Sequence, residues 1–245
     1  MARRLIWPRP TLYYPFGVLR HVGNVFSSEY DMYISGFPRS GNTFAVKAFQ
    51  QSNPGVALQS HRHNPAFVVQ SVNTHKPGMV LMRNPVDSVI SWSIFTRQPL
   101  RHTLAYYVDF HLVVRRHRDA LFFVSFDSVI EDFGKVMKDF NDHWGTSYVP
   151  FDHTPENVAR CMAAMEPEFL DASGRILEHK IPRPSEQRRA LREMYLKQLN
   201  RSPRLQEELL RANELYHLLT PKKFSVRKPL HSTNTTQGIR LRPAM

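Results

Sequence analysis

The residues from Tyr30 to Phe44 have the pattern of a strand, a tight loop and the start of a helix. The first part is apolar and β-prone, and Gly36 and Gly41 permit a sharp turn. A helix that begins after such a loop directs unpaired backbone N–H groups and the positive end of its dipole at whatever lies above the loop. The pattern therefore predicts an anion site, and phosphate is the anion that suits it best.

The loop has the glycine spacing of a nucleotide-binding P-loop but lacks its lysine. In the pattern G-x-x-x-x-G-K-[ST], the lysine reaches the β- and γ-phosphates, and here that position is Asn42, followed by Thr43. The cation lies inside the loop instead, at Arg39. We expect Arg39 to meet an oxygen that bridges a phosphate to a transferred group. A strand–turn–helix that binds nothing is the alternative.

A second pair of anion-binding residues follows another predicted strand. Met79–Met82 is a continuous apolar run, typical of a strand buried on both faces of a parallel sheet. Arg83 comes directly after it, and Ser91 lies two turns along the next predicted helix. A guanidinium and a hydroxyl placed in this way can hold one phosphate together. Pairing of Arg83 with Asp87, one helical turn on, is the ordinary structural alternative.

Strand and helix patterns alternate along the first 145 residues. They predict strands at 30–35, 56–60, 79–82 and 121–126, and helices at 42–51, 65–72, 85–94 and 100–119, with a further helix capped by Ser128. Helices near 155–166, 185–199 and 203–219 follow, with Ser185 and Ser202 as N-caps. The expected fold is a three-layer α/β/α arrangement around a parallel sheet, similar to P-loop NTPases, with a helical C-terminal part.

Composition places limits on the class of protein. The net charge is +12, but eight basic residues and no acidic ones lie in 1–20 and 224–245, which leaves a net charge of only +4 between them. We expect one domain over 1–223 and a basic, disordered tail over 224–245.

No apolar run is long enough to span a bilayer. Cys161 is the only cysteine, which excludes an intrachain disulfide and is consistent with a cytoplasmic location.

The two motifs together resemble those of sulfotransferases that use 3′-phosphoadenosine 5′-phosphosulfate (PAPS). Residues 36–44 resemble the 5′-phosphosulfate loop of that family, and residues 83–91 resemble its 3′-phosphate motif. The resemblance is closest to small bacterial-type members, which also have a His-x-His segment between the motifs. It covers roughly residues 30–220. It implies PAPS as co-substrate, 3′-phosphoadenosine 5′-phosphate (PAP) as product, and no metal.

The resemblance also implies residue roles. Arg39 would neutralise charge on the leaving phosphate, while Arg83 and Ser91 would hold the 3′-phosphate. The 5′-phosphate would be cradled by backbone N–H groups of Ser40, Gly41, Asn42 and Thr43. Phe44 and, less directly, Phe126 match aromatic positions near the adenine, although Phe126 also suits a plain core position. Arg183 matches a basic segment that closes over the 3′-phosphate.

His61 matches the catalytic base of the family, and His63 is the competing candidate. An acceptor hydroxyl or amine attacks poorly until its proton is removed, and neutral imidazole suits that task near pH 7. Binding of a metal by the His-x-His pair is a weaker alternative, because no third ligand is evident. Further along, we expect His102, His111 and His117, with the neighbouring arginines, to form a solvated helix face.

Two other functions compete with sulfuryl transfer. A P-loop kinase or NTPase would require a lysine at position 42 and an acidic residue for Mg²⁺ at a strand end. A nucleic-acid-binding protein would require basic charge over a folded face, whereas the excess here is terminal. The expected partner is a small-molecule, carbohydrate or peptide acceptor, without an obligatory nucleic acid. The acceptor's identity and the oligomeric state stay open.

Overall fold

The structure is a computed structural model that describes residues 29–60, 63–171, 173–175, 177, 179–180 and 186–221. Within these ranges, four strands form one parallel sheet in the order β2-β1-β3-β4. They are β1 (Met32–Gly36), β2 (Leu58–Ser60), β3 (Gly78–Met82) and β4 (Phe122–Ser125). In the described residues the helices are α1 (Asn42–Ser52), α2 (Pro65–Asn73), α3 (Pro85–Thr96), α4 (Leu100–Arg115), α5 (Phe126–Glu131), α6 (Phe133–Trp144), α7 (Pro155–Met165), α8 (Glu186–Arg201) and α9 (Pro203–Leu219).

Helices cover both faces of the sheet, which confirms the predicted three-layer α/β/α fold. Side chains of a strand alternate between faces, so that Tyr33 and Val80 point to one core and Ile34 and Leu81 to the other. The first core contains residues of α2, α3, α4, α8 and α9, and the second contains residues of α1, α6 and α7. Among the described helices, none is long and apolar enough to cross a membrane.

Two predicted helices are wrong in their boundaries. The helix expected over 100–119 ends at Arg115, and a short 3₁₀ turn, Arg118–Ala120, precedes β4. The helix expected to be capped by Ser128 is two helices. Ser125 caps the first by accepting the backbone N–H of Ser128 at 3.0 Å, and Asp132 caps the second. Phe126 consequently begins α5 and does not belong to the strand.

The N-caps predicted for α3 and α9 are confirmed. Asn84 accepts the backbone N–H of Val86 at 2.9 Å and so starts α3 directly after β3 and Arg83. Ser202 accepts the N–H of Leu205 and starts α9. Ser185, the predicted cap of α8, lies outside the described residues. The tight start of α3 is what places Arg83 at the carboxyl edge of the sheet.

Gly36 allows β1 to approach β3 closely at the point where the functional loop begins. A Cβ at this position would lie 2.3 Å from the carbonyl oxygen of Leu81, which is a backbone atom and cannot rotate away. We therefore expect Gly36→Ala to lower the free energy of unfolding by about 2–4 kcal/mol, measured by urea denaturation. Gly55→Ala is the matched control, because a Cβ added at that position would have no other atom within 4 Å. Equal stability of the two variants would contradict this account.

Candidate anion-binding site

The loop between β1 and α1 is held in an unusual conformation by its own residues. Arg39 and Gly41 both have positive φ angles, 68° and 88°. Asn42 is buried, and its side-chain amide donates a hydrogen bond to the carbonyl of Phe37 at 3.0 Å, which ties the two ends of the loop together. A non-glycine residue with positive φ persists only when its surroundings hold it there, and such residues cluster at functional sites.

The N-terminal end of α1 opens onto this loop. Gly41 is the N-cap and has no side chain with which to satisfy the first backbone N–H groups. Ser40, directly before it, is fully buried, and its Oγ has no hydrogen-bond partner among the described residues. A buried hydroxyl without a partner costs free energy unless a ligand or water satisfies it. Both features suit an anion above the loop.

Arg39 lies across the site and contacts Ser91 of the second motif. Its Nε donates to Ser91 Oγ at 3.0 Å, its Nη1 donates to the carbonyl of Lys180 at 3.4 Å, and its guanidinium lies 5.3 Å from the ring centroid of Phe95. Burial, followed by the positive charges of Arg188 and Arg83, lowers the pKa of Arg39 to about 10. This side chain is therefore charged but poorly solvated, which favours a nearby anion.

Arg83 supports the same loop from the end of β3. Its Nη1 donates to the carbonyl of Arg39 at 2.7 Å, and its guanidinium lies 4.2 Å from the ring centroid of Phe126. Burial lowers the pKa of Arg83, and Asp87 and Asp127 oppose that effect. The simple Arg83–Asp87 pair is not formed, because Asp87 makes its ion pair with Arg192 of α8.

Helix α8 contributes to the site through Arg188, a residue that was not predicted from the sequence. Arg188 donates from Nη2 to Ser91 Oγ at 3.3 Å and from Nη1 to the carbonyl of His179 at 2.9 Å. Arg183, which was predicted for this region, lies outside the described residues. The available signal was the i, i+4 spacing of Arg188 and Arg192, which places both on the side of α8 that faces α3.

Three guanidinium groups thus gather around Ser91 and the loop. Within the described part of the chain, no carboxylate lies within ion-pair distance of Arg39 or Arg83. Like charges in a partly buried site repel one another, and a multiply charged anion relieves that repulsion. The arrangement suits a phosphate or sulfate group in charge and in hydrogen-bond donors.

His61 lies outside the described residues, so its predicted role as the base stays a prediction. His63 is described, and its Nδ1 lies 3.0 Å from the carbonyl oxygen of Gly36, at the start of the loop. Because a carbonyl only accepts, Nδ1 carries the hydrogen, and Nε2 is the basic nitrogen of the neutral ring. Tyr106 also donates its hydroxyl to the backbone carbonyl of His63, and the ring of Trp92 lies beside its imidazole.

The two aromatic residues predicted near the adenine have different environments. Phe44 is only 5% exposed and packs edge-on against Phe133, Phe151 and His153 in the core. Phe126 is half-buried and lies between Arg83 and Gly41, where a Cβ on the glycine would come within 3.0 Å of its ring. Of the two, Phe126 is the one in contact with residues of the anion site.

One expectation about α4 is wrong. His111 does not lie on a solvated face, because it is fully buried beside Phe37 and Tyr107. Its Nδ1 lies 2.8 Å from the carbonyl oxygen of Tyr107, and burial lowers its pKa to about 4. The neutral, buried imidazole of His111 therefore packs against Phe37, which is the first residue of the loop after β1. Its position on the buried stripe of Leu104, Tyr107 and Val108 was the signal available in the sequence.

No family model matches the chain, and no curated protein sequence matches it. Among solved structures, mouse sulfotransferase SULT7A1 complexed with PAP matches with 12% sequence identity and a TM-score of 0.40, over 74% of this chain and 89% of the mouse chain. A likeness this remote says nothing about the chemistry of the present chain, and function is inferred from its own side chains.

Metal binding is not indicated by a cluster of ligands. In the described ranges, no group of three or more His, Cys, Asp or Glu side chains is arranged to hold a metal ion. The side chains that point to a ligand are the arginines and serines described above.

Proposed function

We propose that the protein is a sulfotransferase that moves a sulfuryl group from PAPS to the hydroxyl or amine of an acceptor. The observation that carries this proposal is the convergence of Arg39, Arg83 and Arg188 on Ser91 and the loop. PAPS carries phosphate at its 3′ position and phosphosulfate at its 5′ position, so it presents two anionic groups. Two adjoining sets of cationic and hydroxyl donors match that distribution of charge.

The residues present fit both anionic groups. The loop offers the backbone N–H groups of Ser40, Gly41, Asn42 and Thr43 at the start of α1, together with the unsatisfied Oγ of Ser40, to the 5′ end. Arg83 and Ser91 are assigned to the 3′-phosphate, and Arg188 joins them there. Phe126 is assigned to the adenine, because it is the half-buried aromatic side chain in contact with the site.

The same residues disfavour the kinase alternative. In a P-loop kinase, the residue after the second glycine reaches the phosphates with a charged amine. Here that residue, Asn42, is buried, and its amide is used within the loop. The strand β3 ends in Arg83 where a magnesium site would require an acidic residue. These features support a cosubstrate whose charge is neutralised by arginine.

In this proposal the chain's own residues neutralise charge and take up a proton. PAPS, when bound, supplies an activated sulfuryl group and a phosphate leaving group. Arg39 lies in the loop and is placed to stabilise negative charge that develops on that phosphate. Its hydrogen bond to Ser91 fixes the guanidinium in one orientation. We propose His61 as the group that takes the acceptor proton, with His63 as the alternative.

The experiment that tests this proposal is thermal stabilisation of the protein by PAP with metal ions chelated. A ligand that binds only the folded state raises its stability in proportion to the logarithm of the ligand concentration over Kd. We expect PAP to stabilise the protein without metal and ATP with Mg²⁺ not to do so. The reverse result would favour the kinase, and no stabilisation by either ligand would contradict both functions.

A further inference from the structure

A cavity of about 430 Å³ lies next to the anion site, between α3, α8 and the described residues Leu177 and His179. Its apolar lining consists of Ile94, Leu177 and Leu191. Its polar lining includes Arg97, His179 and Arg188. This volume is within the range of sites for small molecules, which typically combine apolar walls with a few polar groups.

One arginine of the cavity, Arg97, has a positive charge that no described residue neutralises. Arg97 ends α3 in a left-handed conformation, with φ 56°, and makes no hydrogen bond or ion pair within the described residues. Burial lowers the pKa of His179, and the positive charges of Arg97, Lys180 and Arg188 lower it further. No acidic side chain lines the cavity in the described part of the chain. An anionic group would therefore be attracted to this rim.

The cavity and the anion site share a wall. Arg188 lines the cavity and also donates to Ser91 Oγ. Phe95 lies between the two sites, with its ring 5.3 Å from the Arg39 guanidinium and 6.4 Å from the His179 imidazole. A molecule in the cavity would therefore be separated by the ring of Phe95 from Arg39 and from the transferred group that is proposed to lie beside it.

Building on the proposed function, we propose that this cavity binds the acceptor, and that the acceptor has an apolar body and a carboxylate that pairs with Arg97. The three apolar side chains match the body of such a molecule, and the exposed guanidinium matches its charge. Arg188 is already bonded to Ser91 and to the carbonyl of His179, which leaves Arg97 as the principal cation for the acceptor.

The test compares acceptors that differ only in charge. The probes are hydroxyphenylacetate against hydroxyphenylacetamide and hydroxynaphthoate against hydroxynaphthamide, titrated calorimetrically into the full chain saturated with PAP. We expect at least one carboxylate to bind about tenfold more tightly than its amide, since a charge-assisted hydrogen bond adds on that order. Arg97→Gln is expected to remove the preference, and added salt to reduce it. Arg101→Gln, an exposed arginine that does not line the cavity, is the matched control.

The outcomes separate this inference from the proposed function. If neither carboxylate is preferred, or if the preference persists in Arg97→Gln, the inference is wrong even though PAP binds. Weaker PAP binding in Arg97→Gln would also contradict it, because the cavity would then belong to the cosubstrate site. Failure of PAP to bind the unmodified protein would contradict the proposed function. In that case, a carboxylate preference that depends on Arg97 would still show that the cavity binds an anionic molecule.

Discussion

Arg83→Ala is expected to weaken PAP binding by about 10- to 100-fold and to weaken AMP binding much less. PAP and AMP differ only in the 3′-phosphate, which is the group assigned to Arg83 and Ser91. A hydrogen bond between a guanidinium and a phosphate contributes about 1.5–3 kcal/mol, which corresponds to a factor of this size in Kd. Calorimetric titration of both nucleotides, with metal ions chelated, measures the effect.

Two further variants show whether charge or geometry is responsible. Arg83→Lys keeps the charge but lacks the planar fork of the guanidinium, so we expect it to recover only part of the affinity. Arg101→Ala removes an exposed arginine from the first turn of α4 and should not change either Kd. If Arg83→Ala weakens PAP and AMP equally, the side chain acts by supporting the loop through the carbonyl of Arg39 and not by binding the 3′-phosphate.

His61→Ala is expected to lower kcat by about 10²–10⁴-fold with little change in the Kd of PAP. Removal of a general base slows the attack of the acceptor by a factor of this size, and the base has no part in holding the nucleotide. The rate is measured as release of PAP from PAPS, with the best acceptor found in a screen of phenols, sugars and hydroxyl-containing peptides. His102→Ala, an exposed residue on α4, is the control.

His63→Ala distinguishes the two histidines. Because its Nδ1 hydrogen bonds to the carbonyl of Gly36, we expect its loss to disturb the loop and to weaken PAP binding as well as the rate. A large fall in kcat with His63→Ala but not with His61→Ala would reverse the two roles. If neither replacement lowers kcat as much as tenfold, a histidine base is wrong.

The parts of the site that are local in sequence could be predicted. The loop and the helix after it are encoded by Gly36, Gly41 and the apolar residues on either side, and each acts on its immediate neighbours. Arg83 was placed at a strand end because a buried apolar run precedes it and Asn84 with Pro85 starts a helix after it. These signals depend on backbone geometry within a few residues, and the structure confirms them.

Contacts between distant segments could not be predicted in this way. Arg188 reaches Ser91 across 97 positions, and only the packing of α8 against α3 brings them together. The ion pair between Arg192 and Asp87 is of the same kind. His111 was misplaced because polar residue type was given more weight than its position on the buried side of α4. The direct Arg39–Ser91 bond was also not foreseen, although both residues had been selected.

Thermal unfolding of the protein with PAP and a metal chelator tests the central claim most directly. At a PAP concentration of 100 times Kd, binding adds about 2.7 kcal/mol of stability, which for a chain of this length raises Tm by about 5–10 °C. We predict that rise, and we predict that at the same PAP concentration the added stability in Arg83→Ala falls to about 0.4–1.4 kcal/mol, so that Tm rises by no more than about half as much. An unchanged Tm with PAP, beside a clear rise with ATP and Mg²⁺, would contradict the account.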